Sequence, residues 1–330
     1  MTEALLPIAL DVMGGDFAPG FILDGARQAV AAGIPVLLVG RSADVGETYG
    51  LPLFEASQVI AMTDDAAKSV RTMKDSSLVR AAELVRDGKA SAFLSAGNTG
   101  ATMASALLRM GRIKGVIRPA IATPIPVLGS TPTVMLDAGA NAECTPEFLV
   151  QFAQMGAVYS RQRYGIEHPR VGLLSIGEED SKGNTLVKAA NALLRAGAAG
   201  ANVNFIGNVE GRDIMTDEVD VVVTDGFTGN VVLKTLEGGM KFFATKVFEA
   251  FLSNDETKAA AKILLPALAP LTESLDPNTY GGAMLLGING VAIISHGSSN
   301  AMAILNACRV ARDMVDVGLV DALRVAVSPA

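Results

Sequence analysis

A buried strand that runs directly into a glycine-containing helix start constrains the fold more than any other segment. Residues 220–234 read DVVVTDGFTGNVVLK, and residues 221–224 are an unbroken run of apolar or β-branched residues. Such a run is typical of a parallel strand covered on both faces. Gly226 and Gly229 are predicted to permit a tight turn. Thr228 and Asn230 then lie near unpaired N–H groups of the next helix, which indicates a capped turn or an anion site.

Four other segments repeat this order of strand, small polar corner and helix. Their corners lie at residues 13–19, 95–100, 137–141 and 177–184. Alternating strands and helices predict an α/β protein whose ligands bind where the strands end. For each corner, simple capping of the following helix is the alternative.

The hydrophobic pattern places the remaining elements around these corners. No Pro/Gly/Ser-rich linker or charge run divides the chain, so residues 1–330 are predicted to form one large α/β domain. Strands are predicted at residues 8–12, 35–39, near 59, 91–95, 120–127, 133–136, 170–176, 202–207, 221–224 and 291–294. The main helices are predicted at residues 21–32, 78–86, 146–164, 231–252, 259–268 and 300–317.

Composition excludes several classes of function. The net charge of −7 argues against a general nucleic-acid binder, which needs a basic face. Cys144 and Cys308 lie far apart and match no metal-ligand spacing, so they are predicted to be reduced thiols of a cytoplasmic protein. The first residues lack the pattern of a signal peptide. No apolar run reaches the ~18 residues that span a bilayer.

One short segment is strongly basic although the chain as a whole is acidic. Residues 108–118 contain four cations and no acid. These cations are predicted either to dock an acidic partner or to be a solvated helix end favoured by the helix dipole. They are Arg109, Arg112, Lys114 and Arg118.

A helical hairpin is predicted at residues 231–268. Apolar residues recur at helical spacing through residues 231–252, then a polar stretch at 253–258 breaks the pattern, and a return helix follows until Pro266 interrupts it. The apolar stripe is too wide for one buried face. It therefore predicts either a dimer interface or membrane contact.

The common nucleotide, hydrolase and zinc motifs are absent: there is no GxGxxG, GxxxxGK[ST], GxSxG or HExxH. The motifs that are present resemble, in order and over nearly the whole chain, the bacterial PlsX phosphate acyltransferase family of phospholipid synthesis. They are DVMGGD (11–16), SAGNTG (95–100), RPAI (118–121), GEEDSKGN (177–184), DGFTGN (225–230), YGGA (280–283) and SHGSS (295–299).

This resemblance implies an activity, a fold and a set of partners. It implies transfer of an acyl group from acyl carrier protein to inorganic phosphate, without cofactor or metal. It also implies an isocitrate-dehydrogenase-like α/β/α sandwich, a homodimer and peripheral contact with the inner face of the cell membrane. A glycerol-3-phosphate acyltransferase would act downstream. The polar hairpin tip at residues 253–258 departs from the apolar, basic tips of membrane-touching members.

The resemblance also suggests which residues act. Lys182 and Asn230 match the residues to which the family assigns catalytic importance. His296, one of two histidines, is either structural or ligand-binding. The candidates for binding phosphate or substrate are Gly14, Gly15, Asp16, Gly97, Asn98, Thr99, Asp225, Thr228, Gly229 and His296.

Two other functions are compatible with the residues. One is a phosphate acetyl- or butyryltransferase that acts on coenzyme A thioesters, and the other is a non-catalytic anion-binding scaffold. For an acyltransferase we predict direct displacement, in which phosphate bound across the corners of Gly97, Lys182 and Gly229 attacks the thioester. A thioester is already activated, so neither a metal nor an acyl-enzyme intermediate is required.

Overall fold

One sheet of eleven strands forms the centre of the molecule. The structure is a computed structural model that describes residues 5–327, apart from the side chains of residues 271, 273, 274 and 277. The strands are β1 (Ile8–Asp11), β2 (Val36–Gly40), β3 (Leu53–Glu55), β4 (Ala92–Ser95), β5 (Ala120–Ile125), β6 (Thr133–Leu136), β7 (Arg170–Leu174), β8 (Asn204–Val209), β9 (Val221–Val223), β10 (Ala283–Leu286) and β11 (Val291–Ile294). Across the sheet their order is β3-β2-β1-β4-β11-β10-β5-β6-β9-β7-β8.

Helices cover both faces of this sheet. They are α1 (Gly20–Ala31), α2 (Ser42–Val45), α3 (Ala66–Thr72), α4 (Ser77–Arg86), α5 (Thr99–Arg109), α6 (Pro146–Tyr164), α7 (Thr185–Arg195), α8 (Gly226–Phe251), α9 (Asp255–Leu275), α10 (Ala301–Asp316) and α11 (Leu319–Val327). Successive strand residues enter opposite apolar layers: Ile8 and Leu10 belong to the layer that includes α1, α6 and α10, while Ala9 belongs to the layer that includes α4 and α5. The predicted three-layer α/β/α sandwich is therefore confirmed.

The sheet is mixed, although its buried strands predicted a parallel one. β10 is antiparallel to both β11 and β5, and β5 is antiparallel to β6. These three reversals separate β1, β4 and β11, which are parallel to one another, from β6, β7 and β9, which are also parallel to one another. The two groups of strands therefore end at opposite edges of the sheet. We call these edges the Gly97 edge, where β1, β4 and β11 end, and the Lys182 edge, where β6, β7 and β9 end.

The strand predicted near Val59 lies elsewhere. The actual strand is β3, which extends the sheet by pairing with β2. Gln58 forms only an isolated bridge with Ser76. Pairing with an existing strand outweighed the weak local pattern around Val59.

The hairpin is longer than residues 231–268. α8 already begins at Gly226, and α9 continues through Pro266 and Pro270 to Leu275. A proline inside a helix removes one backbone hydrogen bond, but both prolines are exposed, so water can reach the freed carbonyls. Phe242 and Phe243 of α8 are 66% and 71% exposed. Within residues 5–327, no helix is both long and apolar enough to cross a membrane.

Candidate active site

Three corners meet at the Lys182 edge. β6, β9 and β7 are neighbours in the sheet and run parallel, so the segments that follow them begin side by side. These segments are residues 137–144, 224–230 and 175–184. In α/β sheets, such strand ends are the usual place for a ligand.

Asp137 organises the first of these corners. Its buried carboxylate accepts hydrogen bonds from the backbone N–H groups of Ile121 (3.0 Å), Gly139 (3.2 Å), Ala140 (2.9 Å) and Asn141 (2.7 Å), and from Asn141 Nδ2 (2.8 Å). Burial raises the pKa of Asp137, and these hydrogen bonds oppose that rise. One side chain thus fixes the backbone of residues 138–141.

The start of α8 differs from the prediction. Gly226 and Gly229 do not form a turn, because the helix begins at Gly226 and both glycines belong to its first turns. The cap is Asp225, whose carboxylate accepts from the N–H of Thr228 (2.8 Å) and from its hydroxyl (2.8 Å). This carboxylate occupies the positive end of the helix dipole itself. An anion at the α8 N-terminus, which was one of the two alternatives drawn from the sequence, would have to compete with it.

The two glycines of α8 serve close packing. A Cβ atom on Gly226 would lie 2.6 Å from the carbonyl oxygen of Asn141, and one on Gly229 would lie 2.0 Å from that of Asp137. Only glycine lets the helix approach the first corner this closely. Asn230 follows on the exposed side of α8, next to Gly139. Its side chain has no hydrogen-bond partner among residues 5–327, so its amide is free to bind a ligand.

Lys182 lies in the third corner and is exposed. Its aliphatic stem crosses Gly177, where a Cβ atom would come within 2.7 Å of Lys182 Cγ. The sequence allowed pairing with Glu178 or Glu179, but Glu178 pairs with Arg212 at 3.0 Å. In the described part of the chain, no carboxylate lies within ion-pair distance of the Lys182 ammonium. Its charge is therefore free for an anionic substrate.

An open cavity of about 600 Å³ lies between these corners. We call it the corner cavity. Its walls come from the segment after β6 and from the first turns of α7 and α8. The residues that line it are Ala142, Glu143, Cys144, Asn184, Leu186, Asp225, Phe227 and Thr228.

Neither cysteine is an activated nucleophile. Burial raises the pKa of Cys144 to about 11, with Asp137 and Asp225 adding to the rise while a Gly226 hydrogen bond and Arg118 oppose it. Burial also raises the pKa of Cys308 to about 12. Nucleophilic attack needs the thiolate, which is scarce at neutral pH when the pKa is this high.

Most of the basic segment lies at the Lys182 edge. Residues 111–119 lead into β5. The backbone N–H of Ile121 in β5 donates a hydrogen bond to Asp137, which lies at the Lys182 edge. Arg112 and Lys114 are exposed, and the Arg118 guanidinium lies 5.9 Å from the ring centroid of Phe148. Arg109 differs, because it is partly buried and lies 3.7 Å from a carboxylate oxygen of Glu83.

A second group of hydrogen-bonded residues lies at the Gly97 edge, around Asp11. This buried carboxylate accepts from the Ser95 hydroxyl (2.7 Å), and the Ser95 oxygen accepts from the N–H of Gly97 (2.9 Å). A Cβ atom on Gly14 would lie 2.6 Å from the Gly97 nitrogen, so these two corners touch. Gly15 has a positive φ of 115°, which favours glycine.

The other predicted residues of this edge have mainly local partners. Asn98 caps α5 by accepting from Ala101 N–H (3.0 Å), and Thr99 is the exposed first residue of that helix. Asp16 donates its backbone N–H to the Gly297 carbonyl (2.8 Å). His296 is exposed, and its Nδ1 lies 2.7 Å from the hydroxyl oxygen and 3.2 Å from the backbone nitrogen of Ser298.

The prediction of one phosphate site across Gly97, Lys182 and Gly229 is wrong for a single chain. β4 and β9 are separated by five strand spacings, or roughly 24 Å, and they end at opposite edges. One phosphate ion cannot contact both corners. Within the chain, Lys182, Gly229 and Asn230 share one edge, and Gly14, Gly97 and His296 share the other.

Comparison with known proteins agrees with the resemblance inferred from the motifs. The family model described as fatty acid synthesis protein matches residues 6–321. The chain belongs to this family. Among curated members, the phosphate acyltransferase of Elusimicrobium minutum is 47% identical, over 96% of this chain and 94% of that protein.

Solved structures agree with the fold. A phosphotransacetylase from Streptococcus pyogenes has 15% sequence identity and a TM-score of 0.64, with 94% of each chain covered. A 4-hydroxythreonine-4-phosphate dehydrogenase from Klebsiella pneumoniae has 12% identity and a TM-score of 0.54, covering 94% of this chain and 99% of that one. At such low identity these matches support the α/β/α architecture alone.

Sequence reasoning singled out the corner at residues 137–141 but none of its side chains. An Asp directly after a buried strand, followed by Gly139 and Asn141, was the available signal. Only the structure shows the role of Asp137, because one of the donors to its carboxylate is the backbone N–H of Ile121, sixteen residues earlier in the chain. The apolar cavity residues Leu186 and Phe227 also escaped notice, because each resembles an ordinary helix residue.

Proposed function

We propose that this chain transfers a fatty acyl group from acyl carrier protein to inorganic phosphate, giving an acyl phosphate for phospholipid synthesis. The observation that carries this proposal is family membership over nearly the full length, with curated relatives named phosphate acyltransferase. The free cation of Lys182 and the free amide of Asn230, which lie at the same sheet edge, support the same chemistry. Both groups suit a reaction in which negative charge gathers on phosphate and on a carbonyl oxygen.

The proposed mechanism is direct displacement at the Lys182 edge. A phosphate oxygen attacks the thioester carbonyl, the C–S bond breaks, and the carrier protein leaves as its thiol after taking up a proton from solvent. Lys182 offsets the charge of phosphate and of the developing oxyanion, and Asn230 donates a hydrogen bond that fixes one of them in line. The high pKa values of Cys144 and Cys308 argue against a thiol intermediate.

The decisive experiment compares donors. Purified protein should form acyl phosphate from acyl carrier protein thioester and phosphate much faster than from the matching coenzyme A thioester. Preference for coenzyme A would instead indicate a phosphate acetyl- or butyryltransferase, and no product from either donor would favour the non-catalytic scaffold. Radiolabelled donor without phosphate completes the test, because stable label on the denatured protein would exclude direct displacement.

We propose that Arg112, Lys114 and Arg118 dock the acidic carrier protein, whereas the Glu83 contact of Arg109 reduces its share. Electrostatic complementarity chiefly affects encounter, so the double variant Arg112→Glu, Lys114→Glu should raise KM for the carrier protein thioester with little change in kcat. Kinetics at low and high salt test this. An unchanged KM and salt dependence would leave these residues as a solvated surface.

We also propose that the α8–α9 hairpin forms a homodimer interface. Within residues 5–327 its outer half is left uncovered, with Phe243 71% and Ile263 79% exposed. Charge in an apolar interface is costly, so Phe243→Asp with Val247→Asp should yield monomers in sedimentation. A variant that remains dimeric would place the interface elsewhere. The stripe's partner would then be either the substrate acyl chain or the membrane, where contact would deliver acyl phosphate to a glycerol-3-phosphate acyltransferase.

A further inference from the structure

The Lys182 edge presents more apolar surface than a phosphate ion needs. Phe227, in the first turn of α8, lines the corner cavity and is 66% exposed. Leu186 lines the corner cavity and packs only partly against the core. Large apolar side chains grouped at one place on a surface commonly mark a site that an apolar ligand covers.

The charges of the corner cavity argue against phosphate inside it. Glu143 and Asp225 both line the cavity, and Thr228 holds the Asp225 carboxylate in place. A phosphate dianion would be repelled by these two carboxylates, whereas a neutral apolar group would not. Lys182 is not among the residues that line the cavity.

The corner cavity nevertheless lies at the same sheet edge as both proposed catalytic residues. Asn184 follows Lys182 by two positions, and Thr228 precedes Asn230 by two. A group held in the cavity therefore lies at the edge where phosphate is proposed to attack. The volume of about 600 Å³ falls within the roughly 300–1,000 Å³ of small-molecule sites.

We propose that the corner cavity binds the acyl chain of the thioester donor, and that Phe227 and Leu186 form the apolar wall that sets its chain-length preference. This inference rests on the proposed function, since acyl transfer is what brings an acyl chain to this edge. Phosphate then approaches from the side of Lys182, away from Glu143 and Asp225. Each methylene that contacts the wall contributes roughly a fourfold gain in binding.

The test uses Phe227→Ala, because a side chain this exposed can be shortened without loss of fold. The matched control is Phe242→Ala, in the same helix and also 66% exposed. For each protein, kcat/KM is measured with carrier protein thioesters of about eight and about sixteen carbons. Loss of contact with two or three methylenes should lower the long-to-short ratio by about 15- to 60-fold in Phe227→Ala. Leu186→Ala should lower the ratio in the same direction.

Phe242→Ala should keep the wild-type ratio, since a weakened dimer would affect both donors alike. An equal change for both donors in Phe227→Ala would overturn the assignment of the wall. A raised KM for phosphate with an unchanged ratio would overturn it too, because phosphate would then occupy the cavity. If wild-type protein makes no acyl phosphate from either donor, the proposed function itself fails, which is a distinguishable result.

Discussion

Lys182→Ala is expected to lower kcat for acyl phosphate formation by on the order of 100- to 1,000-fold, the usual cost of one preorganised group that stabilises developing charge. Phosphate is largely a dianion near neutral pH, and within residues 5–327 no carboxylate lies within ion-pair distance of the Lys182 ammonium. Its loss leaves the incoming phosphate and the oxyanion without that stabilisation. Asn230→Ala should behave similarly, because its amide is also unpartnered in the described chain.

The fold should survive both changes. Lys182 and Asn230 are exposed, and surface substitutions of this kind usually shift the free energy of unfolding by less than about 0.5 kcal/mol. Lys188→Ala is the control, since it removes an exposed lysine from α7 of the same chain. Steady-state kinetics and urea denaturation should be measured on all three variants. If Lys182→Ala loses no more activity than Lys188→Ala, Lys182 takes no part in the reaction.

Gly229→Ala is expected to abolish most activity and to destabilise the protein by about 1–3 kcal/mol or more, the cost of overpacking. The new Cβ atom would lie 2.0 Å from the Asp137 carbonyl oxygen, so α8 must move away from the first corner. That movement displaces Asn230, the next residue. Helix propensity acts in the opposite direction, because alanine is favoured over glycine by about 1 kcal/mol.

Gly238→Ala separates these two effects. Gly238 lies in the same helix with nothing within 4 Å of its Cβ position, so this change should raise the free energy of unfolding by up to about 1 kcal/mol. Urea denaturation and acyl phosphate assays on both variants provide the comparison. A stabilised, active Gly229→Ala variant would show that α8 does not need its close contact with Asp137.

Polar residues form two separate groups, one at the Lys182 edge and one at the Gly97 edge, rather than a single site. The Lys182 edge has free polar groups, a cavity and most of the basic segment. At the Gly97 edge, the carboxylate of Asp11 and the amide of Asn98 are occupied by bonds within the chain. The cavity and the basic segment support placing the chemistry at the Lys182 edge.

Much of the local structure follows from the sequence alone. The buried strand before Asp225, the glycines beside it and the apolar stripe of the hairpin are properties of neighbouring residues, so pattern and propensity predict them. Asn98 and Asn184 cap the helices that follow them, as expected for small polar residues after a strand. The motifs likewise indicated the family, because each consists of neighbouring residues and all of them occur in the family's order along the chain.

Only the tertiary structure decided which corners share an edge. A strand buried on both faces has the same apolar pattern whether its neighbours are parallel or antiparallel, so the reversals at β10 and β5 leave no local signal. The corners of Gly97 and Lys182 therefore looked equivalent in sequence. Likewise, Gly229 suggested a turn, whereas the structure shows it inside a helix that touches the Asp137 carbonyl. Such contacts depend on residues distant in the chain, and distant pairing is what a local pattern does not encode.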